Sequence, residues 1–189
     1  MTNIRTSETH PLKINTVTVA ASQVRIGITF CPGKKDKHAL TGPWSRDLTQ
    51  DLDAIVCWGA HMVITLLEQH EFEALQVTQL GEEIKQRGLV WLHLPIRDGS
   101  VPDTHFEVLW SNHCKLINQV ITKQGGSVLV HCKGGLGRAG TIAARLLVEL
   151  GYDPSEAINE VRKVRSKDAI ENTAQENYIL NLPRAKQDK

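Results

Sequence analysis

The sequence carries almost no excess charge, no long apolar run and no paired cysteines, and each absence removes a class of function. Lysine and arginine number 22 against 21 aspartates and glutamates, for a formal net charge of +1. That balance gives no electrostatic reason to expect nucleic acid or an anionic membrane as a partner. No apolar run approaches a membrane span, and the first residues, MTNIRTSETHPLKIN, lack the apolar core of a signal peptide. Cys31, Cys57, Cys114 and Cys132 lie far apart without C-x-x-C spacing. That argues against a metal site or a disulfide framework and for a reducing, cytoplasmic compartment. Repeats and low-complexity segments are also missing. Nothing in the pattern specifies an oligomeric state.

What is present is the material for one domain. A chain of 189 residues can bury one good core and is short for two. The expected division is a flexible N-terminal arm over 1–13, a single domain over 14–182 and a C-terminal tail over 183–189. TVTVA (16–20) and VRIGITF (24–30) read as a strand pair, and Leu48, Leu52, Ile55 and Val56 share one helical face that stops at Gly59. The pattern then alternates. MVITLL (62–67), LVWLHL (89–94) and SVLVH (127–131) have the short apolar form of buried parallel strands. Helical stretches lie between them: TQLGEEIKQRG, and a longer one from Asp103 or Thr104 to the Gly125-Gly126 pair. A run over TIAARLLVELG follows, then a helix with Asp153 as cap and Pro154 at its first position, and one opened by a capping box from Thr173 to Glu176. The fold class is therefore α/β, with a central, mostly parallel twisted sheet flanked by helices. Such sheets bind ligands beyond the carboxyl ends of their strands, so the loops after residues 94 and 131 should open on one edge.

The loop after residue 131 belongs to the stretch VLVHCKGGLGRAG. Three glycines among the five residues between Cys132 and Arg138 imply a backbone bent tightly around something. Successive amides in such a turn converge on an anion, and the following helix adds its positive end. Arg138 at the helix start can grip two phosphate oxygens with its planar fork, which lysine could not reproduce. Cys132 at the mouth of the same cradle lies in the same positive field, which favours the thiolate nucleophile. A cysteine ending a strand is, alone, as readily an inert small hydrophobe. His-Cys-x5-Arg with internal glycines is far more restrictive.

HCKGGLGRAGT resembles the signature of the protein tyrosine phosphatase superfamily. The likeness runs from about residue 25 to 182 and is greatest to its dual-specificity branch, which includes the kinase-associated phosphatases. The resemblance implies a cysteine-based phosphatase fold, a phosphocysteine intermediate, a phosphoprotein or phosphopeptide substrate and no cofactor or metal. Cys132 would attack, and Lys133, Gly134, Gly135, Leu136, Gly137 and Arg138 would bind the phosphoryl group. His131 would stay neutral and brace the turn.

A leaving alkoxide or phenolate needs a proton from a positioned acid. LPIRDGSVPD offers Asp98, before a glycine in a loop free to close, and Asp103, placed where aspartates cap helices. Asp98 is the expected acid, because related phosphatases carry theirs in a Pro-x-x-Asp-Gly segment. Lys133 and the pair Lys34 and Lys35 read either as sources of positive potential at the mouth or as solvated loop lysines. Glu68 reads as a brace for a loop near the site or an ordinary helix start. AIENTAQENY resembles the loop that orients the hydrolytic water, with Glu171 where a glutamine is common and Gln175 at the second position. The position after Arg138 commonly carries a hydroxyl that stabilises the departing thiolate; here it is Ala139. Thr141, two residues on, points elsewhere on a helix. Alternatives from the same residues are an inositol phosphate or phosphoinositide phosphatase and a low-turnover phosphate-binding module. A sulfur transferase would also use a cysteine loop, but the upstream acid loop speaks against it.

Overall fold

In the computed structural model, which describes residues 4–39, 41–123 and 125–183, the apolar runs assemble into one five-stranded sheet. Its strands are β1 (Asn15–Val19), β2 (Val24–Phe30), β5 (Met62–Thr65), β6 (Val90–His93) and β7 (Ser127–Cys132), in the spatial order β1-β2-β7-β5-β6. Only the β1–β2 pair is antiparallel. A separate ribbon, β3 (Lys35–Asp36) with β4 (Trp44–Ser45), lies between β2 and β5 in the chain. Successive side chains go to opposite faces, and both faces are covered. Met62, Ile64, Val128 and Val130 pack into one core, while Val63 and Leu129 pack into the other. That two-sided burial is why these strands read as continuous apolar runs.

The first core is built with α4 (Thr104–Ile121), α5 (Gly137–Glu149), α6 (Pro154–Val164) and α7 (Thr173–Leu180). The second uses α1 (Leu48–Trp58), α2 (Gln69–Ala74) and α3 (Leu80–Gln86). Caps set the boundaries. Asp47, Asp103 and Asp153 each accept a backbone N–H from the first turn of α1, α4 and α6. Asn172, not Thr173, caps α7 by accepting from the Gln175 amide at 2.9 Å. Helix α4 stops at Ile121, short of the glycine pair, and the Lys123 carbonyl accepts from Gly126 in a turn.

Pairing aligns the strand ends. Phe30 lies opposite Cys132, and Thr65 lies opposite both His131 and His93. The segments after β2, β5, β6 and β7 therefore leave the sheet on one edge. Residues read as an arm lie against the body: Arg5 bridges to Trp44, and Ser7 donates to Asp51 at 2.9 Å. Of the expected tail, all but Pro183 lies outside the described residues.

Candidate active site

The turn after β7 requires glycine for reasons of space. Gly135 has φ +72°, and a Cβ there would sit 2.5 Å from the Thr29 carbonyl of β2. At Gly137 a Cβ would lie 2.0 Å from a Glu171 carboxylate oxygen. The carbonyls of the turn are all occupied from outside. Lys133 O accepts from the Cys31 amide and from Lys34 Nζ, each at 3.3 Å. Arg165 donates to Gly134 O at 3.1 Å and to Gly135 O at 2.8 Å. Leu136 O accepts from Gly140 and Ile170. In a trans peptide the N–H points opposite to the C=O, so the amides of residues 134–137 face inward. One of them, Gly135 N–H, donates to Cys132 Sγ at 3.2 Å. Cys132 itself is 3% exposed, at the floor of this cradle.

Arg138 lies in the first turn of α5, 1% exposed, and its guanidinium is fixed by several partners. Glu71 of α2 receives both ends of the fork at 2.6 and 2.8 Å, and the Leu66 and Ile96 carbonyls accept from Nη1. Burial opposes the charge, but the Glu71 bond and the fields of Cys132, Glu71 and Asp98 outweigh it and hold the pKa above its ordinary value. Glu71 in turn is held below the usual carboxylate range, because the Arg138 bond overcomes its burial. The Nε–H of Arg138 is buried and has no partner, a donor that a phosphoryl oxygen would satisfy. Sequence reasoning passed over Glu71. The available signal was its spacing from Glu68: the two form a capping box at the start of α2, with Glu71 Oε2 accepting the Glu68 amide at 2.8 Å.

Asp98 and Asp103 separate as their contexts suggest. Asp98 is exposed over 69% of its side chain and approaches Arg138 Nη2 at 2.8 Å. Asp103 accepts the Phe106 amide at 2.8 Å as the α4 cap. Glu68 does both jobs considered for it, capping α2 and accepting the Asp98 amide at 3.3 Å. His131 is fully buried, with Nε2 at 2.8 Å from Thr65 Oγ1; burial pushes its pKa down to about 4, leaving the ring neutral. Of the pair Lys34 and Lys35, Lys35 is exposed but Lys34 is buried, with its pKa lowered by that burial. Lys133 is exposed, 3.6 Å from Asp36. Glu171 lies over Gly137, its pKa raised by burial and then by Asp98. Gln175 is fully buried, accepting the Glu171 amide and donating to Ser100 O. Thr141 donates to Gly137 O at 2.8 Å inside α5, so its hydroxyl is committed away from Cys132. Among the described residues, no group of three or more His, Cys, Asp or Glu could hold a metal ion. A thiol, a cradle of amides, a guanidinium with a free donor and an exposed carboxyl together can accept and transfer a phosphoryl group.

A family model described as "Polymorphic toxin system, DSP-PTPase phosphatase" matches residues 41–152, more than half of the chain and all of the cysteine loop. The chain belongs to the dual-specificity protein tyrosine phosphatase family. Rat cyclin-dependent kinase inhibitor 3 is 31% identical over 158 residues, covering 82% of this chain and 69% of that protein. The human protein of the same name is 29% identical over the same shares. A solved structure of kinase associated phosphatase, with serine replacing its catalytic cysteine, matches at TM-score 0.73 and 26% identity. That match covers 89% of this chain and 92% of the other. The active form of Tk-PTP matches at TM-score 0.58 and 26% identity, over 82% and 88%. Dual-specificity phosphatases are cysteine-based protein phosphatases, and the mostly parallel sheet flanked by helices is theirs. No helix among the described residues is long and apolar enough to cross a membrane.

Proposed function

We propose that the chain hydrolyses phosphotyrosine, and also phosphoserine or phosphothreonine, in proteins, with Cys132 as nucleophile, Arg138 and the 133–138 backbone as phosphoryl binders and Asp98 as general acid. The observation that carries this reading is Arg138. Its fork is anchored on Glu71, one buried N–H is unpartnered, and Asp98 sits on its outer nitrogen. An incoming phosphoryl group competes for that outer nitrogen and frees Asp98 for the leaving oxygen. Cys132 Sγ forms the S–P bond as the P–O bond breaks, and Asp98 gives its proton to the departing oxygen. Water then attacks phosphorus, Asp98 takes its proton, and the S–P bond breaks to return the thiolate. The inward amides and Arg138 bind the equatorial oxygens throughout, where charge is spread.

The test uses purified chain with phosphotyrosine and phosphothreonine peptides and vanadate. Expected are hydrolysis by wild type, competitive inhibition by vanadate, and peptide binding without turnover by Cys132→Ser. Turnover by the serine variant within about tenfold of wild type contradicts the assignment, because a hydroxyl is not ionised in this field.

A further inference from the structure

The outward carbonyls of the phosphate loop are held by two cations that make no ion pair with a carboxylate among the described residues. Lys34, between β2 and β3, is 5% exposed; its Nζ meets the Lys133 carbonyl and lies 4.9 Å from the centroids of both the Phe30 and Trp44 rings. Arg165, just past α6, is half-buried against the Gly134 and Gly135 carbonyls. Neither reaches a carboxylate among the described ion pairs. Arg46 makes the contrast. It shares the Phe30 and Trp44 rings with Lys34, but it grips Asp51 with two bonds of 2.7 Å. Asp36 acts on Lys34 only through space and pairs with Lys133 at 3.6 Å; a buried cation without a direct counter-charge is costly, and a neutral side chain could occupy the same space.

The charges around Cys132 show what those cations answer. Arg138 from α5 faces the sulfur, but its single positive charge is already shared by Glu71 from α2 and Asp98 from the loop after β6. Glu171, before α7, adds another carboxyl near Arg138 and Asp98. Cys31, after β2, and His131, on β7, are buried and neutral: burial raises the first pKa and lowers the second. Arg138 is thus largely balanced by carboxylates, and Lys133, exposed on the loop itself, is paired with Asp36 at 3.6 Å, so beyond the inward amides and the start of α5 these side chains add little further positive charge at the sulfur. Lys34 and Arg165 supply it; burial lowers the pKa of each, opposed at Lys34 by Cys31, Asp36 and Cys132 and at Arg165 by Cys132.

We propose that Lys34 and Arg165 are positioning residues: they hold the 133–135 carbonyls outward and supply the positive charge that keeps Cys132 ionised and then balances the bound phosphoryl group. The proposal rests on Cys132 being the nucleophile. The test measures iodoacetamide alkylation of Cys132, read by peptide mass spectrometry, in wild type, Lys34→Met, Arg165→Met and Arg165→Lys. Loss of a neighbouring cation disfavours the thiolate, so each Met variant should alkylate about tenfold more slowly at about pH 6, one pH unit of displacement. At about pH 9.5 all variants should match wild type within about twofold, which a loop that had merely collapsed would not do. Arg165→Lys, which keeps the charge, should recover most of the slow-pH loss, and kcat/KM for an aryl phosphate should follow the alkylation rate. Unchanged alkylation at low pH in both Met variants overturns the proposal, as does an equal loss at both pH values in a folded Arg165→Met. Cys132→Ser is the control. If it retains activity, the nucleophile assignment fails first and this inference with it; if it is inert while the Met variants behave as wild type, only this inference falls.

Discussion

At the scale of single residues, the loop after β6 places two aspartates in separate contacts, Asp98 on Arg138 Nη2 and Asp103 on the α4 cap. Asp98→Ala should lose at least about a hundredfold in turnover of alkyl phosphates, the lower range of general-acid effects, and less with aryl phosphates whose phenolate leaves unaided. Asp103→Ala should keep its turnover and lose about 1 kcal/mol of stability with the α4 cap. Steady-state kinetics beside thermal melts separate the two, and exchanged phenotypes reverse the assignment. Ala139 is fully buried at the start of α5, and Thr141 spends its hydroxyl on Gly137 O. Among the described residues no hydroxyl bonds Cys132 Sγ, so on the proposed mechanism the departing thiolate lacks a charge-assisted bond of about 1.5–3 kcal/mol. Ala139→Ser should raise turnover by roughly ten- to a hundredfold and shrink the phosphoenzyme burst in rapid quench. Unchanged turnover, with no phosphoenzyme accumulating in wild type, makes Ala139 simple packing. Cys132, Arg138 and Asp98 were legible because each belongs to a spaced pattern. Glu71 was not, since its role depends on α2 folding back over Arg138 across 67 residues of sequence. Lys34 was read as a mouth lysine because burial beneath Trp44 is a tertiary fact.

At the scale of elements, the decisive one is the turn from β7 into α5. Its glycines are set by neighbours: β2 fills the space beside Gly135, and Glu171 fills that beside Gly137. Gly135→Ala must push the loop off the Thr29 carbonyl while holding a positive φ. It should cost about 1–3 kcal/mol, in the range of overpacking, and weaken vanadate binding at least tenfold. Titration calorimetry with unaltered vanadate affinity would show that the cradle tolerates the shift. The strands were legible because burial on both faces writes a continuous apolar run. Helix α2 has only six residues and no periodicity to read. Helix α5 begins at Gly137, inside the glycine stretch, because its first turn is held by the phosphate loop and not by propensity. The α7 cap was misplaced by one residue, as Asn172 and Thr173 both carry a capping oxygen and only the backbone dihedrals choose.

At the scale of the whole molecule, the sheet edge gathers His131, Cys132, Thr65 and the α2 start, so stability and site share groups. His131 has a folded pKa of about 4 against an ordinary value near 6.5, owing to burial. The unfolded chain therefore binds more protons between those values. This contribution is intact above about pH 6.5 and is lost as pH falls toward 4, up to about 3 kcal/mol. Glu71, held down by Arg138, adds to the acid loss at lower pH, while Glu149, raised by burial, opposes it. The melting temperature should fall from pH 6.5 to 4, and His131→Gln should flatten that slope; an equal slope in both proteins removes His131 as its source. The central claim concerns a bond at Cys132, and the most direct measurement is to see it. Wild type mixed with a phosphorus-32-labelled aryl phosphate, quenched in acid within milliseconds and digested, should carry the label on the peptide containing Cys132 as an acid-stable thiophosphate. The Cys132→Ser chain should carry none. Label on a histidine or aspartate, or turnover with no label while Cys132→Ser stays active, contradicts the account.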